Sequence, residues 1–210
     1  MKTNTIEKNE YLSKNIELFY DLDYTRFGDD KNPDFLNILK NTFSQENELV
    51  LKASKDNAKR YIYCFLEGVI KKYRGQNFVI CSVPRSKANF LPNQLLFQKA
   101  ISEAIDELNK KYFNVLIDGV NFIKRKKNVK TTHIKSSNYQ NDGDYPYPGI
   151  TKKTCFIDYK KINNANVVLI DDIYTKTINV IEDCIQALLD FNADVKCVYC
   201  IAQTKKKELI

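Results

Sequence analysis

The most constraining feature of this 210-residue chain is a strand, an acidic loop, a helix and a second strand within residues 166–202. The two predicted strands, at 166–170 and 195–202, are almost continuously apolar, and a helix is predicted between them at 178–189. Strands of this composition are buried on both faces, which is typical of parallel sheets covered by helices. The pattern therefore predicts an α/β fold with a parallel-sheet core flanked by helices.

Two earlier segments extend the α/β pattern towards the N-terminus. Residues 78–83 form a short apolar run closed by Pro84, as expected of a buried strand, and residues 94–112 carry apolar side chains at helical spacing. Residues 126–153 are polar and aperiodic, which predicts a long functional or disordered loop. The chain divides into three predicted regions: a mostly helical N-terminal accessory region at 1–76, an α/β domain at 77–204 and a basic tail at 205–210.

Composition and motifs exclude several classes of protein. Apolar runs fall short of the roughly 20 residues that a bilayer helix needs, and the first residues lack the apolar core of a signal peptide, so we expect a cytoplasmic protein that does not bind membranes. The glycines form neither GxxxxGK nor GxGxxG, which argues against Walker-type nucleotidases and dinucleotide-binding domains. The net charge of +7 permits an anionic partner such as DNA without requiring one.

The six cysteines are expected to be buried free thiols, because they are widely spaced and the chain is expected in a reducing compartment. Cys197 and Cys200 have the CxxC spacing of metal and redox sites, but they lie in a predicted strand. Residues three apart on a strand point to opposite faces, so we predict that these two thiols do not share a site.

The candidate chemistry lies in the loop after the strand at 166–170. Asp171 and Asp172 follow this strand directly, and ligands of open α/β sheets bind outside the carboxyl ends of strands. A carboxylate pair suits sugar hydroxyls or hydrated Mg²⁺, and the hydroxyl-rich residues 175–177 lead into a helix N-terminus that favours phosphate. A purely structural alternative stays open, in which the aspartates solvate the strand end and Thr177 is an N-cap.

The run Asp171-Asp172-Ile173-Tyr174-Thr175 resembles the phosphoribosyl-pyrophosphate (PRPP) motif of type I phosphoribosyltransferases, most closely that of the competence protein F-like (ComF-like) branch. The resemblance covers about residues 77–204. It includes the upstream segment Ser-Val-Pro-Arg-Ser-Lys at 82–87 and the Ile-Lys-Arg element at 123–125. It implies a type I phosphoribosyltransferase fold, in which the loop at 126–153 is the flexible hood over the site.

The resemblance also implies roles for individual residues. Asp171 and Asp172 would be the catalytic pair that holds the ribose hydroxyls, with Asp172 contacting a Mg²⁺ cofactor through water. The 5-phosphate would be bound by four residues of the next loop: Thr175, Lys176, Thr177 and Asn179. The pyrophosphate would be bound by six residues from two upstream segments: Pro84, Arg85, Ser86, Lys87, Lys124 and Arg125.

The chain departs from the family pattern at three points. Thr177 stands where the family commonly has a phosphate-loop glycine, and Thr175 stands where some purine enzymes place an aspartate base. The N-terminal third has only Cys64, so it lacks the four-cysteine zinc module that ComF proteins often carry. The function expected is transfer of phosphoribose from PRPP to a nitrogen acceptor with release of pyrophosphate.

Two alternatives to this enzyme are kept. The chain is either a catalytically degenerate module that binds PRPP or a nucleotide as a signal, or a nucleic-acid-associated protein in DNA uptake or phage defence. Assembly into a homo-oligomer is left open.

Overall fold

The computed structural model of the protein describes residues 1–25, 29–40, 46–90, 92–132 and 141–205. Its strands, in chain order, are β1 (Lys2–Ile6), β2 (Ile16–Tyr24), β3 (Phe78–Ser82), β4 (Leu116–Asp118), β5 (Ile123–Arg125), β6 (Cys155–Ile157), β7 (Asn166–Tyr174) and β8 (Asp194–Thr204). Its α-helices are α1 (Asp34–Lys40), α2 (Glu48–Lys72), α3 (Leu96–Tyr112), α4 (Tyr159–Ile162) and α5 (Val180–Leu189), and a short 3₁₀ turn, Pro92–Leu95, precedes α3.

In the described part of the chain, six strands form one sheet in the order β1-β2-β8-β7-β3-β4, and β5 pairs with β6 in a separate two-stranded sheet. Every neighbouring pair of the large sheet is parallel except β1 with β2, which is antiparallel. The protein is therefore α/β with a mostly parallel central sheet flanked by helices, which confirms the fold class at this level.

Helices cover both faces of the sheet, so the central strands are buried on both sides. Val168 and Ile170 of β7 pack with residues of α1, α2 and α3, whereas Val167 and Leu169 pack with residues of α5. This double burial explains why the central strands are apolar without alternation. No helix in the described segments is both long enough and apolar enough to cross a membrane.

The cysteines are free thiols, as the sequence predicts, but the expected burial is wrong for Cys64. All six, each in a described segment, are free, and all except Cys64 are buried. Cys197 belongs to the core on the side of α1, α2 and α3, and Cys200 belongs to the core on the side of α5. The two residues of the CxxC spacing therefore point to opposite faces of β8, which confirms the prediction.

The N-terminal region contributes two strands as well as helices. The mostly helical description of residues 1–76 fits α1 and α2, but β1 and β2 precede them, and β2 lies beside β8 in the large sheet. The buried side chains of β2 alternate at Ile16, Leu18 and Tyr20. This region therefore extends the central sheet, and its strands share the core on the side of α5.

The strand that carries the acidic residues is longer than the sequence pattern indicates. The predicted strand ends at residue 170, but β7 continues to Tyr174 because its pairing with β8 continues through Asp171 opposite Cys200 and Ile173 opposite Ala202. Asp171 and Asp172 are therefore strand residues, which corrects their placement in a loop. The following helix begins at Val180, two residues later than predicted.

Candidate functional site

The connections of β3 and β7 define a crevice at the carboxyl ends of the central strands. These strands are neighbours, but the chain after β3 passes through α3 on one face to β4, whereas the chain after β7 passes through α5 on the other face to β8. The loops after β3 and β7 thus lead away from each other. Such a reversal is the topological switch point at which open α/β sheets bind ligands.

Asp171 and Asp172, named here the acid pair, lie on β7 beside this crevice. Asp172 forms an ion pair with Lys40, with Oδ1 and Nζ 3.1 Å apart, and the side chains of Asp172 and Lys40 are 15% and 31% exposed. The Oδ1 atom of Asp171 accepts a hydrogen bond from the backbone N–H of Asp172 at 2.9 Å. The two adjacent acids therefore have different partners, a cation for one and a backbone amide for the other.

Lys40 is a residue of the candidate site that the sequence analysis did not predict. It is the last residue of α1, a short helix whose Leu36 and Leu39 are buried in the core. The guanidinium of Arg85 donates to the carbonyl of Leu39 at 3.2 Å, which ties the end of this helix to the loop after β3. Tyr24 at the end of β2 donates its hydroxyl proton to Asn37 of the same helix at 2.6 Å. Packing and hydrogen bonds thus fix the position from which Lys40 reaches the acid pair.

Burial and mutual charge set the protonation of this group. Burial, together with the charge of Asp172, raises the pKa of Asp171 to about 8, although Lys40 and Arg85 act in the opposite direction. Burial disfavours the charged ammonium of Lys40, but the carboxyls of Asp172 and Asp171 outweigh it and raise the pKa of Lys40. Burial and the neighbouring anion therefore favour the protonated form of Asp171, while the carboxyls favour the charged ammonium of Lys40.

The loop after β3, residues 83–88, is named the β3 loop and contains four of the residues predicted to bind pyrophosphate. Pro84 is buried, and Arg85 faces α1 through its bond to the Leu39 carbonyl. Ser86 shares a hydrogen bond with the Thr131 hydroxyl at 2.7 Å, and Lys87 forms an ion pair with Asp142 at 2.8 Å. The β3 loop is therefore held between α1 on one side and residues of the predicted hood on the other.

The hood, residues 126–153, has an ordered arrangement where it is described, while residues 133–140 lie outside the described residues. The backbone N–H of Val129 donates to the carbonyl of Ser86 at 2.8 Å, and Asp144 exchanges backbone hydrogen bonds with Lys130 and Asn128. Gly143 has a φ of +122°, and a Cβ atom there would lie 2.6 Å from the carbonyl oxygen of Asn128. Only glycine fits this close approach, so the base of the hood is shaped against the β3 loop.

Lys124 and Arg125, the other two residues predicted to bind pyrophosphate, point in opposite directions on β5. Lys124 is exposed, whereas Arg125 is buried and donates to the carbonyls of Arg85, at 2.9 Å, and of Gly149. The adjacent N–H groups of residues 149 and 150 donate to the carboxylate of Asp183, at 2.7 and 2.9 Å. The structure thus gives Arg125 a supporting position between the β3 loop and the hood, and it leaves Lys124 in solvent.

The loop after β7, residues 175–179, is named the β7 loop and contains the residues predicted to bind phosphate. The N–H of residue 178 donates to the carbonyl of Thr175 at 2.9 Å, which closes a turn. Lys176 and Thr177 are exposed, and the side-chain oxygen of Asn179 accepts from Asn9 at 3.1 Å. Asn179 occupies the N-cap position of α5, which corrects the assignment of that position to Thr177, and within the described residues its side chain makes no capping bond.

Two buried acids occupy the first turn of α5, next to the β7 loop. Glu182 accepts a hydrogen bond from the Tyr174 hydroxyl at 3.0 Å, and its second oxygen has no hydrogen-bond partner among the described residues. Burial raises the pKa of Glu182 and that of Asp183. Burial therefore shifts both acids towards their neutral forms relative to free carboxyls.

A magnesium ion at Asp172 would compete with the ion pair already described. Among the described residues, no group of three or more histidine, cysteine, aspartate or glutamate side chains is arranged to hold a metal ion. The carboxylate oxygens have the right chemistry for Mg²⁺, which often binds through one or two carboxylates and substrate phosphates. The ammonium of Lys40 nevertheless lies against the carboxylate of Asp172, so the residues present do not fit a metal ion held there in this arrangement.

Comparison with known proteins adds no relative to this description. No protein-family model matches the chain, and no significant match is found among curated proteins.

Proposed function

We propose that the chain binds the ribose 5-phosphate part of PRPP or of a nucleotide at the acid pair, as a type I phosphoribosyltransferase-like protein of the ComF-like branch. The observation that carries the proposal is the position of Asp171 and Asp172 beside the switch point between β3 and β7. The β3 loop and the β7 loop follow these two strands on either side of the crevice. The β7 loop can therefore contact the 5-phosphate, and the β3 loop can contact a group at the other end of the sugar.

The residues around the crevice suit the parts of such a ligand. Carboxyl groups bind neighbouring ribose hydroxyls through hydrogen bonds, which is the role assigned to the acid pair. The β7 loop offers hydroxyl groups, an exposed lysine and the backbone that enters α5 to a 5-phosphate. Arg85 and Lys87 of the β3 loop supply positive charge for a second anionic group.

The reaction proposed is transfer of phosphoribose from PRPP to a nitrogen acceptor. The bond between the anomeric carbon and the pyrophosphate oxygen breaks, a carbon–nitrogen bond forms, and the acceptor loses a proton as pyrophosphate leaves. Positive charge develops at the anomeric carbon and negative charge on the leaving group, so nearby carboxylates and cations stabilise the transition state. In this chain the acid pair and the β3 loop are assigned those two tasks.

Binding without transfer is the second candidate, and a specific observation favours it. Asp172 is ion-paired with Lys40, and Lys87 is ion-paired with Asp142 of the hood, so part of the charge needed for catalysis is already engaged inside the protein. A ligand that binds here without reacting would act as a signal. Association with DNA stays a prediction that the net charge of +7 permits, and binding that weakens steeply with salt would support it.

Calorimetric titration of PRPP, in buffer with Mg²⁺, tests the proposed site. We expect saturable binding to the wild type and a loss of affinity of about tenfold or more in the variant Asp171→Asn/Asp172→Asn. Asp194→Asn is the matched control, because Asp194 is exposed at the opposite end of the parallel strands. Unchanged affinity in the double variant, or no binding by the wild type at millimolar PRPP, contradicts the proposal.

Release of pyrophosphate in the presence of candidate acceptor bases separates the two candidate functions. Turnover that the double variant loses supports the transferase. Saturable binding without release of pyrophosphate for any base supports the signalling module.

A further inference from the structure

The ion pair between α1 and β7 supports an inference that rests on the proposed function and deepens it. We infer that the ammonium of Lys40 takes the place of a divalent cation at the acid pair, so that the ribose phosphate ligand binds without Mg²⁺. The contact that carries the inference is the 3.1 Å distance between Lys40 Nζ and Asp172 Oδ1.

The position of this ammonium is fixed by its surroundings. The helix that carries Lys40 is anchored by two buried leucines, by the bond from Tyr24 to Asn37 and by the bond from Arg85 to the Leu39 carbonyl. The Lys40 side chain is only 31% exposed, whereas Lys176 of the β7 loop is 72% exposed. Lys40 is thus a preorganised cation of the site, unlike a lysine that extends into solvent.

Two cations of the protein already act on the carboxyl groups of the acid pair. The acid pair faces Lys40 and Arg85, both of which act electrostatically on Asp171. A Mg²⁺ ion binds a carboxylate oxygen at about 2.1 Å, so at Asp172 it would lie close to the ammonium that already contacts the same group. Because both are cations, one excludes the other from this carboxylate unless Lys40 moves away.

An ammonium supplies the chemistry that the ligand needs from this position. It has three N–H donors and a full positive charge, so it can donate to a ribose hydroxyl while it stays paired with Asp172. The carboxylate can in turn accept a hydrogen bond from the second hydroxyl. Recognition of the sugar at this edge of the sheet then requires side chains alone.

Titration with Mn²⁺ alone, followed by electron paramagnetic resonance, tests the inference without any sugar ligand. We expect the wild type to leave millimolar Mn²⁺ free in solution, and Lys40→Met to gain one Mn²⁺ site that Lys40→Met/Asp172→Asn loses. Lys52→Met, which removes an exposed lysine of α2, should behave as the wild type. A wild-type Mn²⁺ site that Asp172→Asn abolishes overturns the inference, and so does a folded Lys40→Met variant that gains no site.

Titration of PRPP into the wild type, once with Mg²⁺ and once with EDTA, is the second measurement and does not depend on the folding of any variant. The two dissociation constants should agree within about twofold, and a loss of about tenfold or more in EDTA overturns the inference. If PRPP binds in neither buffer, the proposed function fails, while the Mn²⁺ experiment still decides whether Lys40 occupies a cation position.

Discussion

The two aspartates of the acid pair differ as single residues, although they are neighbours in the sequence. Asp172 is stabilised as an anion by Lys40, whereas Asp171 is buried beside that anion and has its pKa raised to about 8. The two adjacent carboxyls therefore have different environments, one against an ammonium and one bonded to a backbone amide. This difference suits the proposed ribose site, because one group is favoured as a donor and the other as an acceptor of hydrogen bonds.

The raised pKa of Asp171 predicts how stability depends on pH. The folded state binds the proton more tightly than the unfolded chain, whose value is near 3.8, so this residue contributes stability below that value and loses it as the pH rises through about 8. The upper limit of the slope is about 1.4 kcal/mol per pH unit. Asp171→Asn should flatten the decline in the free energy of unfolding measured with urea between those pH values.

The titratable groups that interact with Asp171 are Asp172, Lys40, Arg85 and the buried thiols of Cys184 and Cys200. The control is Asp194→Asn, because it removes an exposed carboxyl and should keep the wild-type slope. An Asp171→Asn variant with the same slope as the wild type contradicts the assignment of the raised pKa.

Local sequence was sufficient to find the acid pair but not its cation. Asp171 and Asp172 follow an apolar strand within a short pattern, so the carboxyl edge of the sheet could be predicted from neighbouring residues alone. Lys40 is 132 positions from Asp172, and the amphipathic pattern of α1 gives no indication of which strand its last residue meets. Such a contact depends on the arrangement of helices over the sheet, which pattern and spacing do not determine.

Among the elements, β5 and the hood determine the position of the β3 loop. The buried guanidinium of Arg125 bonds the carbonyls of Arg85 and Gly149, and the carboxylate of Asp183 binds the amide of Gly149 as well. One charged side chain therefore joins a loop of the central sheet to the predicted hood. The base of the hood, in a segment whose polar sequence predicts a functional or disordered loop, thus contacts the β3 loop through defined hydrogen bonds.

Arg125→Ala should lower the free energy of unfolding by about 3 kcal/mol, because it removes a buried charged partner and leaves carbonyl groups of the two loops unpaired. Lys124→Ala is the matched control on the same strand and should change it by less than about 0.5 kcal/mol, since Lys124 is exposed. Both values follow from urea denaturation. Equal effects of the two substitutions would show that Arg125 does not have the buried supporting role described here.

The elements also show where periodicity succeeds and where it fails. A helix over residues 94–112 was predicted from apolar spacing, and α3 with the 3₁₀ turn before it covers this range. The strand β2 was missed because Phe19, which is partly buried on the side of α1, α2 and α3, interrupts the apolar alternation that runs from Ile16 to Leu22. A strand inside a covered sheet contacts apolar groups on both faces, so its apolar residues do not alternate strictly. Their spacing then resembles that of a short amphipathic helix.

Across the whole molecule, the N-terminal strands and the α/β region share one sheet and one core. Leu18 of β2 is fully buried and lies opposite Val198 of β8, and Tyr199 donates its hydroxyl proton to Asp21 at 2.7 Å. Strand β2 of the predicted accessory region therefore belongs to the same sheet as the strands of the predicted α/β domain. The domain that unfolds as a unit should include β2.

Leu18→Ala tests this unity. Loss of the buried side chain should lower the free energy of unfolding of the whole protein by about 2–5 kcal/mol in a single transition. Glu17→Ala, at an exposed neighbouring position, should change it by less than about 0.5 kcal/mol. Two separate transitions, with only one shifted by Leu18→Ala, would show that the N-terminal strands fold independently of the sheet.

The pairing of β2 with β8 has a consequence for folding during synthesis on the ribosome. Asp21 and Tyr199, which bond across these strands, are 178 positions apart in the chain. At about 5–20 residues per second, β2 is made roughly 10 to 35 s before the strand that it needs. During that interval its apolar side chains and its unpaired edge are available to chaperones or to other nascent chains.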